Sequence, residues 1–392
     1  MDGSLVLISN PGSASRKYAL YDGDTLRAEV RFEWLNKELR YTVSPSESQS
    51  PVFADIASLS ESSGKALQIL RSTGYIKPNE SVTAIGLRIV APGSYFLQHK
   101  LIDEEYEEHL RSVIDLAPIH VGACLEELES LKQQFSKTKI FGISDSAFHA
   151  TRPDYAKYYS IPFNDADKYD IKRFGYHGLS VASVVSRLQQ AGKLVPKIVV
   201  VHLGGGASVT AVLNGRSVDN TMGYSPLDGL TMSTRSGSID PTAVLALKKF
   251  LSLDDAKIHD YLNNQSGLLG LGGSSEVPEL IKMEESGDKQ ALLALNTFLY
   301  NIQKGIGEMA AAIGGIDALV LTGTICERSS SIRHHLTARL HYLDFTLDEL
   351  ENEGYSPNNE PKPINKLAHS KPILVVPTNE SGEMIKIIKA LN

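Results

Sequence analysis

Short, wholly apolar runs alternate along this chain with segments in which apolar residues recur every three to four positions, so strands and amphipathic helices are expected in alternation. Leu5–Ser9 reads as a buried strand, followed by the turn NPGSAS, a strand at Lys17–Tyr21, a tight Asp22-Gly23 turn and a third strand over Thr25–Phe32. The same pattern returns near mid-chain. Lys197–Leu203 runs into GGGAS, then a strand at Val209–Leu213, an Asn214-Gly215 turn and a strand from Arg216. Further strands are expected at Ala84–Val90, Ile140–Ile143, Ala318–Leu321 and Ile373–Val376. Helical periodicity marks Glu104–Ile114, Val121–Lys132, Leu179–Ala191, Pro241–Leu251, Gln290–Ile313, Ser330–Leu340 and Ser381–Leu391, the last able to fold back on the first domain. Alternation predicts α/β layers, and the repeated hairpins predict a duplicated architecture with a boundary near Asp145–Thr151.

Glycine-rich hairpins also occur in α/β proteins without any duplication. The small residues of both turns favour the duplicated reading, because Gly and Ser present backbone N–H groups to an anion and Ser adds hydroxyl donors. Two such turns facing each other would grip a polyphosphate, as in the actin-like ATPases. Neither G-x-x-x-x-G-K-[ST] nor G-x-G-x-x-G is present.

Composition narrows the classes. A chain of 392 residues suits two domains, and 42% hydrophobic with 22% charged residues suits packed cores. A net charge of −7 without a basic stretch argues against nucleic acid as a partner. Two separated cysteines, Cys124 and Cys326, exclude a disulfide framework and fit a reducing compartment. No run approaches roughly 18 apolar residues, and the short apolar run Leu5–Ile8 lacks a basic leader, so neither a membrane span nor a signal peptide is predicted and the cytoplasm is expected.

Ligands of open α/β sheets bind beyond the strand ends, so polar residues there are the candidates. Asn10, Ser13, Ser15 and Lys17 follow the first strand. Arg88 lies inside an apolar strand, where an unpaired guanidinium is costly; it either closes a structural ion pair or holds a carboxylate or phosphate. Asp145 follows Ile140–Ile143 and could equally cap a helix. His177 sits in FGYHGLS immediately before a helix, as a core histidine or a donor to a ligand. Arg235, among hydroxyls in TMSTRSGSIDP, suits neutralising a transferring phosphoryl group. Glu380 in TNESGE offers an oxygen ligand for Mg²⁺, or is a plain surface carboxylate.

In order, NPGSASRKYALYD, GLRIVAPG, DLAPIH, DSAFH, FGYHGLS, HLGGGASV, SPLDGLTMSTRSGSIDP, LTGTICE and PTNE resemble the acetate kinase family, with its propionate and butyrate kinases, over nearly the whole chain. The resemblance implies a duplicated actin-like (ribonuclease H-like) α/β fold with a central cleft. Domain I would span 1–148 plus 381–392, and domain II, 149–380, would carry the nucleotide side and most of a homodimer interface. It implies Mg²⁺-dependent in-line phosphoryl transfer between ATP and acetate. Asn10 and Glu380 match the metal positions, and Ser13, Ser15 and Lys17 the phosphate path. Arg88, Asp145, His177 and Arg235 match the catalytic group, while Val90, Ile119, Tyr176 and Pro226 match the pocket for the acid's methyl group. His202 with Gly204, Gly205 and Gly206 matches the second phosphate turn; Glu276, Gly323, Thr324, Ile325 and Cys326 fall on the nucleotide side.

Departures cluster. Leu87, Ala91 and Pro92 replace the family's flanking His, His and Gly, and Gly205 stands for Asn. Ser-Ser-Asp-x-Arg becomes Ser274–Pro278, and two glycines of T-G-G-I-G-E-N become Thr324 and Cys326, filling space on the adenosine side. Three readings follow: an ATP-dependent acetate kinase with a reshaped pocket, the same chemistry with pyrophosphate or another nucleotide (or with propionate or butyrate), or a non-catalytic binding relative.

Overall fold

The computed structural model describes residues 4–12, 15–35, 38–45, 50–357, 360–366 and 368–392. Its contacts group the chain into two compact units, Met1–Ala147 with Asn379–Asn392, and Phe148–Thr378.

In the first unit, β1 (Ser4–Pro11), β2 (Ser15–Asp22), β3 (Thr25–Leu35), β4 (Ser81–Ile89) and β5 (Lys139–Ser144) form a sheet in the order β3-β2-β1-β4-β5. The first three pair antiparallel; β4 lies parallel to β1 and β5 parallel to β4. Short strands extend both edges, Glu38–Ser44 and Val52–Phe53 beyond β3 and Lys100–Leu101 beyond β5. β1 carries the unbroken apolar run Leu5–Ile8 because helices cover both faces of the sheet. Leu7, Ile85 and Leu87 share a core with Val121, Leu125 and Leu128 of α1 (Pro118–Gln134). On the other face Ile388, from the C-terminal helix Glu380–Leu391, comes within 2.6 Å of where a Cβ on Gly86 would stand, with Ile8 at 2.9 Å. Glycine in mid-strand is therefore what lets that helix dock.

The second unit repeats the plan. β6 (Lys197–Leu203), β7 (Ala207–Leu213), β8 (Arg216–Asn220), β9 (Ala318–Thr322) and β10 (Ile373–Val375) run in the order β8-β7-β6-β9-β10, with Lys362–Pro363 at the far edge. Orientations match the first sheet, antiparallel to the β8 side and parallel to the β10 side. α2 (Gly178–Gln190) buries Val181, Val184 and Leu188 against Ile198, Val200 and Val320. α3 (Lys289–Ala312) packs on β6 and β7. A mixed sheet of order 3-2-1-4-5, present twice, is the ribonuclease H-like fold duplicated as in actin-like ATPases. The expected repeat thus extends from the hairpins to whole sheets. Helices such as Ser62–Ser72 were not expected, since Ser and Gly in SSGKALQILRS blur the apolar period.

Candidate active site

Parallel strands end at one edge, so β1, β4 and β5 bring Asn10, Arg88 and Asp145 together. Arg88 grips Asp145 with both arms of its fork, Nη2 to Oδ2 at 2.9 Å and Nε to Oδ1 at 3.3 Å. Its Nη1 donates to Asn10 Oδ1 at 3.0 Å, and Asn10 Nδ2 donates to Glu380 Oε2 at 2.9 Å. Glu380 also lies 4.0 Å from Arg88. Four side chains from four separate segments thus form one bonded array. The Asp145 side chain is 1% exposed whereas that of Arg88 keeps 15%, so the pair is buried on its Asp side and reachable on its Arg side. Burial works against the guanidinium charge, but Asp145 and Glu380 more than offset it and raise its pKa above the ordinary value. Asp145 is therefore an ion-pair partner: its carboxylate is spent on Arg88. Glu380, first residue of its helix, is half-buried and bonded, unlike a plain surface carboxylate.

Beneath the first turn lies a network that the sequence did not advertise. Glu127 of α1 is fully buried and accepts from Ser9 Oγ at 2.7 Å and Tyr18 Oη at 2.9 Å, with Arg16 Nε at 3.8 Å. Burial pushes its carboxyl above the usual range, partly countered by Ser9, Arg16 and Tyr18. Arg16 donates onward to the Gly12 carbonyl, so this cluster braces the turn. A carboxylate three residues after Cys124 and four before Leu131, on the apolar stripe of α1, was the available signal. Ser15 accepts from Gly12 N–H through its backbone at 2.9 Å, while Ser13 lies outside the described residues. Lys17, expected on the phosphate path, pairs with Glu29 on the neighbouring strand at 3.1 Å.

His99 backs the same edge. Its Nδ1 accepts from the Ser144 N–H at 3.1 Å, one residue before Asp145, and burial pushes its pKa down to about 4. Between about pH 6.5 and 4 the unfolded chain therefore binds a proton that the folded chain refuses, so stability should fall as pH drops through that window and level off below it. Melting temperature measured across pH 7 to 4 should show this slope, and His99→Asn, which keeps an acceptor, should flatten it.

In the second unit His177 caps α2 with left-handed backbone, φ +60°. Its Nδ1 meets Ser208 Oγ at 3.0 Å, and its ring lies 4.3 Å from that of His202, whose Nδ1 meets Ser180 Oγ at 2.8 Å. The turn after β6 closes through Gly204 N–H on the Gly206 carbonyl at 2.8 Å, with Gly205 at its tip. A Cβ on Gly206 would stand 2.9 Å from His177 Nε2 and 3.5 Å from Arg235 Nη1. The turn, His177 and Arg235 therefore converge on one point. Arg235 reaches the Pro226 carbonyl at 3.3 Å, and fully buried Tyr176 donates its hydroxyl to the Tyr224 carbonyl at 2.7 Å, tying the two loops together. Of the residues expected to line the acid's pocket, Val90 is buried and Ile119 half-buried in the first unit, while Tyr176 and Pro226 are buried in the second.

On the expected nucleotide side, Gly323 passes so close to β6 that a Cβ would lie 2.5 Å from the Leu203 carbonyl oxygen. Thr324 is exposed and Ile325 half-buried in the following short helix, Thr324–Arg328. Cys326, unlike the exposed Thr324, is fully buried, with Sγ 3.9 Å from the Val201 carbonyl. Burial pushes its thiol up to about 12, which leaves it unreactive. Glu276 is exposed, and Pro278 occupies the first turn of helix Val277–Glu285, where proline is favoured.

Known proteins share this fold. The chain matches the profile of the acetokinase family over residues 5–386. The acetate kinase of Caldanaerobacter subterraneus subsp. tengcongensis is 36% identical over 392 residues, 97% of each chain, and that of Thermoanaerobacterium thermosaccharolyticum 35% identical, again over 97% of each. Among solved structures, the Porphyromonas gingivalis acetate kinase superposes with a TM-score of 0.86 at 30% identity over 99% of each chain. A propionate kinase from Francisella tularensis subsp. tularensis SCHU S4 gives 0.88 at 32% over 98% of each. With a profile match spanning both sheets, relatives of full length and a fold shared end to end, this protein belongs to the acetokinase family.

Proposed function

We propose that the protein catalyses reversible, Mg²⁺-dependent phosphoryl transfer between ATP and acetate, giving acetyl phosphate and ADP by direct in-line displacement. The observation that carries this reading is the array Asp145–Arg88–Asn10–Glu380, whose members the family resemblance nominated independently and which are bonded in one row. A carboxylate is already a nucleophile at neutral pH, so the protein's task is alignment and charge neutralisation. Arg88, held in plane by Asp145, offers its solvent-side edge to the acid or the phosphoryl oxygens. Arg235 and His177, which converge at Gly206, supply positive charge and a hydrogen bond to phosphate oxygens, and Asp145 acts by orientation, with no base required. His202 and the Gly204–Gly206 turn hold donor phosphates.

Among the described residues no group of three or more His, Cys, Asp or Glu could cage a metal. Asn10 and Glu380 supply one amide oxygen and one carboxylate, a sparse donor set that fits Mg²⁺, which is commonly held by one or two protein groups with water and phosphate oxygens completing its shell. Bound there, Mg²⁺ would neutralise phosphate charge. Exposed apolar side chains on helix Pro241–Phe250, Leu245 at 65% and Phe250 at 80%, support a homodimer through the second unit, which light scattering on the intact protein would test. No helix among the described residues is long and apolar enough to cross a membrane.

The deciding experiment screens donors and acids together by hydroxamate trapping of the acyl phosphate with Mg²⁺ present. Turnover with ATP and acetate is expected. The likeness to the Francisella propionate kinase makes propionate the second acid to try. Turnover with pyrophosphate alone would replace ATP as donor, and tight ligand binding without turnover would leave a binding relative.

A further inference from the structure

We infer that His149 is a positioning residue for His177, fixing the left-handed turn from below; this rests on the acyl-phosphate reading above. His149 is fully buried. Its Nε2 lies 2.9 Å from the Tyr176 carbonyl oxygen, and its Nδ1 lies 2.8 Å from Ser217 Oγ on β8. A carbonyl only accepts, so Nε2 carries the proton, and in the neutral ring Nδ1 accepts from the Ser217 hydroxyl. The peptide carbonyl that His149 holds belongs to the residue immediately before His177. Asn220 Nδ2 adds a weaker bond to the same oxygen at 3.4 Å.

The ring also serves as a floor. Gly175 adopts φ +75°, and a Cβ there would lie 3.0 Å from Cγ and Cδ2 of His149, so the backbone of the turn rests directly on the imidazole. Phe174 and Gly175 N–H groups both reach the Gly223 carbonyl, at 2.9 and 3.3 Å, which fixes the turn's entry. His177 then enters α2, where its carbonyl accepts from Val181 N–H at 3.0 Å. Left-handed backbone at a non-glycine residue costs about 1–3 kcal/mol and persists only where surrounding bonds over-determine it. His149 supplies the bond and the surface closest to that strain.

The test uses full-length protein with acetate, ATP and Mg²⁺. His149→Phe keeps a ring and removes the donor; His149→Gln places an amide N–H near the lost Nε2; Ser217→Ala leaves the ring and its Nε2 donor but removes the hydroxyl that tethers Nδ1 and so holds the ring's orientation. His149→Phe should lower kcat by about 10²-fold with KM for acetate changed less than about twofold, since misplacing a reacting group by an ångström has that effect. His149→Gln should recover at least about tenfold of this, and Ser217→Ala should lose about tenfold because the ring loses its Nδ1 tether. In ¹⁵N-histidine-labelled protein, the His177 ring resonances should shift in His149→Phe and stay in place in His149→Gln. Equal losses in the Phe and Gln variants, or unshifted His177 resonances in His149→Phe, would overturn the inference. Should His149→Phe not fold, wild-type turnover in Ser217→Ala overturns it as well. A wild-type protein inactive with every donor and acid sinks the functional reading alone, because the His177 resonances still report the positioning.

Discussion

Replacing Arg88 with alanine should lower turnover by about 10²–10³-fold, the loss expected when a donor aimed at transition-state charge is removed. The same change strips Asp145 of a partner that meets it at 2.9 and 3.3 Å, and Asp145 is almost fully buried. Leaving one member of such a pair unpaired costs about 3–5 kcal/mol, so a fall in melting temperature is expected alongside the fall in rate. The two effects separate in Arg88→Ala/Asp145→Asn. Removing both charges should restore much of the lost stability, while turnover stays at the level of the single variant. A double variant that recovers turnover together with its melting temperature would show Arg88 to be a structural ion pair only. Arg88→Lys should remain slow, because an ammonium keeps the charge but cannot reproduce the planar fork. Arg235→Ala should show a comparable loss of turnover, with loss of its bonds to the Pro226 carbonyl and Met232 Sδ as well.

Gly267→Ala should be nearly as damaging, although residue 267 touches no expected ligand. Its backbone runs at φ +63°, and a Cβ there would stand 2.2 Å from the Met232 carbonyl oxygen and 2.7 and 2.9 Å from the carbonyl oxygen and nitrogen of Arg235. Every atom in that list is backbone, so nothing can swing aside. The loop carrying Arg235 is sewn to this segment by Ser266 N–H on Thr234, Leu268 N–H on Met232 and Leu269 N–H on Ser233, at 2.9 to 3.0 Å. A methyl group must push the loop away or break those bonds. The left-handed backbone alone costs about 1–3 kcal/mol, and overpacking adds about the same again. Displacing Arg235 by about an ångström should lower kcat by roughly 10²-fold. Calorimetric melting and steady-state kinetics on the same preparation test this; a variant that melts and turns over like wild type would remove Gly267 from the support of Arg235.

The two-sheet plan and the candidate polar residues at the strand ends could be read from the chain because both depend on local order. LVLIS and KIVVVHL are apolar without alternation, as strands covered on both faces must be, and each runs into a turn of small residues followed by a tight hairpin. Arg88 stood out because a charge inside an apolar strand needs a partner wherever it lies. Which partner it takes was not written nearby. Asp145 is 57 residues away, Glu380 arrives on a helix that returns from the far end of the chain, and that docking depends on the missing side chain of Gly86. The supporting residues were hidden for the same reason. Gly267 and His149 act through backbone atoms of other loops, and Glu127 acts by accepting bonds from β1 and β2 inside a core. The burial of Cys326 was not legible because its direction depends on how its short helix sits against β6. Residue order thus dictated the strands, the turns and the candidate residues of the site, whereas long-range packing decided orientation: which charges pair, which turn is held, and which side chains face inward.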